Sequence, residues 1–209
     1  MKKKKTSIKP NLLLETIKIE NGRICNLEYH NRRFNRSRRD KFGIETSLDL
    51  GTAIHIPSDL VDGVFRCRVL YKRDIEKIEF VPHIPFAAGS LKLVFRDDID
   101  YSVKYADREL LMRLFEKRGD CDEILIVKNG FITDTSISNI AFRKGQGSWV
   151  TPDTPLLNGT MRMHLMETGQ ITEAPVYLED LNKFSGAKMI NCMMDLENTA
   201  MIEMVNIRR

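Results

Sequence analysis

Apolar and polar residues come to alternate over residues 11–20, Asn-Leu-Leu-Leu-Glu-Thr-Ile-Lys-Ile-Glu. Asn21 and Gly22 then supply the pair that a type I′ turn requires, with residues 23–27 as the return strand, so the chain opens on a β-hairpin. Over residues 28–42 charge displaces the alternation and Gly43 supplies a stop, which predicts one exposed helix. Within it Tyr29, His30, Arg33 and Phe34 are neighbours through i, i+3 and i+4 spacing. A second helix is predicted near residues 48–53. Residues 65–73 alternate again, and 76–81 follow after a tight turn, giving two further antiparallel strands. Residues 82–89, marked by proline and glycine, read as a linker.

Beyond it the pattern predicts a strand at 91–95, an extended run at 100–104 and a helix over 105–117 stopped by Gly119. Residues 123–127, the Asn129 and Gly130 turn, and residues 131–134 and 137–142 repeat the hairpin logic. Residues 149–151 continue the sheet, 160–168 are helical before Gly169, and 171–177, 188–193 and 200–205 are predicted strands. The expected architecture is α+β in two domains: a small N-terminal sheet with helices over 1–86, and a sheet-rich C-terminal domain over 87–209.

Composition narrows the class. At 209 residues the chain has enough apolar content for a core without disulfides, and its four cysteines, Cys25, Cys67, Cys121 and Cys192, lie far apart with no CxxC pair. They read as reduced thiols, with no metal site. No apolar run is long enough for a membrane span, and the Lys2 to Lys5 run lacks the apolar segment of a secretory signal, so a cytoplasmic location is expected. The net charge is +4, with a second basic cluster at Arg32, Arg33, Arg36, Arg38, Arg39 and Lys41. No nucleic-acid-binding motif surrounds it, and a solvated helix face accounts for most of these residues.

Four places carry candidate chemistry. Lys104 follows apolar Val103 and stands at the junction with a predicted helix, a placement that desolvates an amine and makes it a Schiff-base nucleophile; an exposed strand lysine is the ordinary alternative. Asp134 is a carboxylate in a strand-like run, either a turn aspartate or a partner for a pyridine nitrogen. Asn158, Gly159 and Thr160 precede a helix and make either a plain cap or a phosphate cradle of N–H groups, a hydroxyl and the helix dipole. Arg33 is either a surface arginine or a bidentate partner for that phosphate. An amine, a carboxylate and a phosphate cradle are the parts needed to hold pyridoxal 5′-phosphate (PLP).

The order of these pieces resembles the class IV aminotransferases, the fold-type IV PLP enzymes that include branched-chain and D-amino-acid aminotransferases and 4-amino-4-deoxychorismate lyase. The resemblance runs through Leu14-Glu15-Thr16 and the Asn21-Gly22 turn, His30-x-x-Arg33-Phe34, Lys104, the run from Thr133-Asp134 to Asn139-Ile140, and Leu157-Asn158-Gly159-Thr160-Met161-Arg162. It implies Lys104 as Schiff-base lysine and proton shuttle, Arg33 with Gly159 and Thr160 on the phosphate, and Asp134 on the pyridine nitrogen. It places Ser136, Ile137 and Ser138 along the ring and Arg108 near the phenolic oxygen. The chain departs from the family pattern in Asp134, where glutamate is usual, in a shortened first domain with a tight turn near residues 72–76, and in Asn191-Cys192-Met193-Met194, where a hydroxyl-rich segment is usual.

The function implied is an aminotransferase acting on an amino acid and keto acid pair as a homodimer, with no nucleic acid or membrane partner. A lyase that releases pyruvate and p-aminobenzoate from aminodeoxychorismate is the nearest alternative. A non-catalytic relative and a basic nucleic-acid-binding module are the alternatives from other classes.

Overall fold

A computed structural model gives the fold and describes residues 12–145 and 147–209. The Lys2 to Lys5 run and Asn11 lie outside the described residues. Strands β1 (Leu13–Glu20), β2 (Arg23–Ile24), β3 (Val64–Tyr71) and β4 (Ile75–Pro82) form an antiparallel sheet in the order β2-β1-β3-β4. Asn21 and Gly22 both take positive φ, 48° and 72°, as the type I′ turn demands. The return strand is shorter than its sequence suggests. Asn26 adopts a left-handed conformation and turns the chain straight into helix α1 (Leu27–Phe42), which Gly43 ends at φ 66°. A short helix α2 (Leu50–Ala53) follows, with the Asp49 carboxylate accepting from the Gly51 N–H.

Alternation in β1 turns Leu13, Glu15, Ile17 and Ile19 inward. The apolar three join Phe34, Leu50, Cys67, Val69 and Tyr71 in a core that Val103 also enters. The chain around Lys104 therefore seals the first sheet.

The remaining strands form two sheets, β12-β5-β6-β7 and β10-β9-β8-β11. They comprise β5 (Leu91–Phe95), β6 (Glu123–Lys128), β7 (Phe131–Thr135), β8 (Asn139–Lys144), β9 (Ser148–Pro152), β10 (Ile171–Ala174), β11 (Gly186–Ile190) and β12 (Ile207–Arg208). Leu91, Leu125, Val127, Ile140, Phe142 and Met189 fill the core between them. Helices α3 (Glu109–Phe115) and α4 (Thr160–Glu167) pack at the edges. The α+β class is as expected. No helix among the described residues is long and apolar enough to cross a membrane.

Further elements differ from expectation. Residues 100–104 are irregular, and α3 begins at Glu109, four residues late, because Tyr105 and Ala106 are bridged to the start of β1; the Asp107 carboxylate accepts from the Glu109 N–H just ahead of the helix. β8 starts at Asn139, since residues 135–138 close a turn through Thr135 N–H to Ser138 O. Pro175 follows the end of β10 at Ala174, having no N–H for the ladder. Residues 200–205 make only a bridge from Ile202 to Ala187 before a 3-10 turn at Met204–Asn206.

Two members of the arginine-rich cluster of α1 are committed inside the protein. Arg33 and Arg38 are buried; Arg38 donates to the carbonyls of Arg73 and Thr46, pinning α1 to two loops. Arg32 forms a fork with Glu167. Arg32, Arg39 and Lys41 stay exposed, as a solvated helix face has them.

Candidate active site

The chemistry gathers where the first sheet meets the C-terminal sheets. The Leu14 N–H donates to Lys104 O at 2.9 Å and the Ala106 N–H to Leu12 O at 2.8 Å, so the lysine segment is strapped along the start of β1. Lys104, Arg33, Arg108, Ser136, Ile137, Ser138, Gly159 and Thr160 line one cavity, together with Tyr101, Leu111, Thr135, Asn139, Leu156, Leu157, Asn191 and Cys192. That lining holds three cationic side chains and no carboxylate, which suits it to an anion.

Lys104 reaches the cavity as a desolvated amine with no hydrogen-bond partner among the described residues. Burial first, then the positive charge of Arg33 and of Arg108, brings its pKa down to about 8. The sign gives a prediction. Acylation of Lys104 by an amine reagent should rise with pH and level off above about 8, while ordinary lysines keep accelerating toward about 10.4. Peptide mapping after pulses at graded pH reads this, and a Lys104 profile matching surface lysines would refute the desolvation.

Arg33 extends from α1 with its Nε and Nη2 in a fork on Glu15, at 2.8 and 2.6 Å. Among the described residues its Nη1 has no partner. Glu15 also meets His30 Nδ1 at 2.7 Å. Burial alone would raise the Glu15 carboxyl, but the Arg33 guanidinium and the bonds from His30 and Arg33 outweigh it and hold the pKa near about 2. A carboxylate thus fixes the arginine from behind and leaves one edge of the fork for a ligand.

The opposite wall is built on the turn between β7 and β8. Ser136 is held at two atoms: its Oγ donates to Glu123 Oε2 at 2.8 Å, and its carbonyl accepts from Arg108 Nη2 at 2.8 Å. Thr135 Oγ1 accepts from the Ser138 N–H at 3.0 Å. Asp134 is drawn close to the other predicted residues but stands behind the wall. Its Oδ1 accepts from Asn139 Nδ2 at 2.8 Å and its Oδ2 from the Leu157 N–H at 2.9 Å. Burial pushes this carboxyl up to about 6 against those two bonds.

Asn139 is the residue that meets the cavity in front of Asp134, and it also donates to Leu157 O at 2.8 Å. A Cβ on Gly159 would lie 2.0 Å from Asn139 Oδ1, an atom that these bonds hold in place. Gly159→Ala should therefore expel the Asn139 amide and leave Asp134 short of a donor, costing on the order of 1–3 kcal/mol. Thermal melts of the variant check this; an unchanged midpoint would mean that the wall yields freely.

Gly159 leads into α4, whose first-turn N–H groups have no intrahelical acceptor and sit at the positive end of the helix. Thr160 Oγ1 lies 3.4 Å from His30 Nε2. Glu15, His30, Asn139, Asn191 and Cys192 were not among the predicted site residues. For Glu15 a signal was present, because it is the one charged residue on the inward phase of β1. Such a charge requires a buried partner.

The family model described as amino-transferase class IV matches residues 102–197, which carry Lys104, Asp134 and Thr160. An uncharacterized protein of Haemophilus influenzae is 42% identical over 186 residues, 88% of this chain and 98% of that protein. A crystal structure from Haemophilus somnus 129PT, provisionally named a 4-amino-4-deoxychorismate lyase, is 36% identical with a TM-score of 0.83, covering 90% of this chain and 98% of that one. A Mycobacterium tuberculosis protein described as a hypothetical aminotransferase, in its PLP-bound form, shares the fold at 17% identity and a TM-score of 0.72, over 92% of this chain and 80% of that one.

Proposed function

The chain belongs to the class IV aminotransferase family, which is PLP-dependent, and from that premise we propose that it is an enzyme that holds PLP on Lys104 and works at the amino group of a small amino-acid substrate. The observation that carries this reading is the pairing in one cavity of two unspent cationic groups, the Lys104 amine and Arg33 Nη1. The residues present fit the cofactor. A phosphate would take Arg33 Nη1, the first-turn N–H groups of α4 and the Thr160 hydroxyl. Arg108, tied by one nitrogen to Ser136 O, serves as a second anion anchor on the far wall.

Bound there, PLP supplies an electron-accepting ring that eases removal of the substrate's α-proton. Lys104 is the nucleophile that takes the cofactor and, once released, the base that carries the proton; its lowered pKa keeps part of it unprotonated near neutrality. Ser136, Ile137 and Ser138 shape the wall beside it. Asp134 is one methylene shorter than the glutamate usual in the family. We assign it to fixing Asn139 and the Leu157 N–H, which take one lone pair on each carboxylate oxygen.

Transamination is the reaction proposed first. It is tested by incubating the PLP-loaded protein with amino-acid and keto-acid pairs, and silence on every pair with cofactor bound would count against it. The full-length likeness to the provisionally named lyase of Haemophilus somnus supports a second reading, elimination of pyruvate from aminodeoxychorismate. Pyruvate released without any keto-acid acceptor selects that reading. A homodimer is proposed by resemblance to the family, and sedimentation at the monomer mass would oppose it.

A further inference from the structure

His30 is fully buried between the Glu15 carboxylate and the Thr160 hydroxyl, and its tautomer follows from those partners. Glu15 is ionised and can only accept, so His30 Nδ1 carries a proton and donates to it. Burial, with the positive charges of Arg33 and Lys104, keeps the ring neutral against the pull of Glu15. His30 Nε2 is then a lone pair, and Thr160 donates to it.

With its proton committed to His30 across 3.4 Å, Thr160 has oxygen lone pairs to offer the cavity. That polarity is wrong for a phosphate oxygen. The hydroxyl can turn to the phosphate only by leaving a buried imidazole nitrogen without a donor, unless His30 takes a proton at Nε2. A protonated His30 would donate to Thr160 Oγ1, and Thr160 would donate onward to the anion.

We propose that His30 is a positioning residue that takes up a proton when a phosphate-type dianion enters the cradle, converting Thr160 from a lone-pair surface into a donor. This rests on the reading that Arg33 and Thr160 hold a phosphate. The step balances: one proton leaves solvent, binds His30 Nε2, and no covalent bond forms or breaks elsewhere. The charges around the ring explain why occupancy decides it. Glu15 on β1 favours the imidazolium, while Arg33 on its own helix and Lys104 on the 100–108 segment oppose it. Cys192, in the loop after β11, is held as a neutral thiol by burial. A dianion beside Arg33 and Lys104 offsets both opposing charges.

The test is nitrogen NMR of the wild-type protein with 15N-labelled histidine, titrated with sulfate and, separately, with inorganic phosphate. Sulfate stays a dianion throughout the working pH range, so proton uptake with it belongs to the protein. The chain has four histidines, and His55, His83 and His164 are assigned by single substitution to glutamine. The expected result is a His30 spectrum that passes from one protonated and one bare nitrogen to two protonated nitrogens as the anion saturates. Isothermal titration in two buffers of different ionisation enthalpy should show uptake approaching about one proton, reduced at least about fivefold in Thr160→Val. Anion binding that depends on Arg33 while His30 keeps one bare nitrogen would overturn the proposal and leave the phosphate site standing. Anion binding indifferent to Arg33→Ala would overturn the phosphate site and the proposal together.

Discussion

Lys104→Ala is expected to lose covalent attachment of PLP and to lower turnover on the order of 10²–10⁴-fold or more, while leaving the fold as stable as before or more so. The two halves of that result have one cause. The Lys104 amine is desolvated and carries no hydrogen bond among the described residues, so alanine breaks no hydrogen bond of the side chain. Its folded pKa, about 8, is depressed from 10.5, which means that the folded protein resists charging this group. The sign follows: wild-type stability is favoured above the unfolded value and falls as pH drops through about 8, so at neutral pH the lysine is a burden that alanine removes. Reconstitution with PLP followed by borohydride and peptide mapping reads the attachment, and melts of the cofactor-free proteins at pH 7 read the stability. A borohydride-fixed adduct at another lysine in wild type, or a marked loss of stability in the variant, would contradict the assignment.

The legibility of this protein in its sequence depended on whether a feature is written locally. Both Asn-Gly turns adopt positive φ at the expected places, and Gly43 ends α1 as read, because those conformations are set by two or three adjacent residues. Lys104, Arg33 and Thr160 line one cavity, although they come from an irregular segment and two different helices. What was hidden is the arrangement behind them. The late start of α3 turns on the pairing of Tyr105 and Ala106 with the start of β1, about 90 residues earlier in the chain. The bonds that hold Asp134 come from Asn139 and from the Leu157 N–H, 23 residues away in the chain. Glu15 was quoted as part of a motif, but its grip on Arg33 and His30 is a tertiary contact that periodicity cannot state.

That grip sets the second large effect. Glu15→Gln would leave the buried Arg33 guanidinium facing an amide, and breaking a buried pair at one partner costs about 3–5 kcal/mol. Glu15 is completely buried and Arg33 is 5% exposed, so water cannot replace what is lost. The wild-type protein carries the same dependence on pH. The Glu15 carboxyl is depressed from 4.5 to about 2, so its stabilisation is fully present above about 4.5 and drains away as pH falls toward about 2. Urea melts at pH 7 and pH 3 should show the wild type losing stability on acidification, and the variant losing less because it has no carboxyl there to protonate. Loss of the pair can be separated from loss of the ligand by a double variant. Glu15→Met with Arg33→Met removes both charges together and should recover part of the stability, the His30 Nδ1–H still lacking its acceptor, while PLP affinity stays at least about tenfold weaker because no guanidinium edge remains for the phosphate. Recovery of both properties would mean that Arg33 serves only the core. Recovery of stability alone would show that the buried carboxylate exists to hold an arginine at the cavity wall.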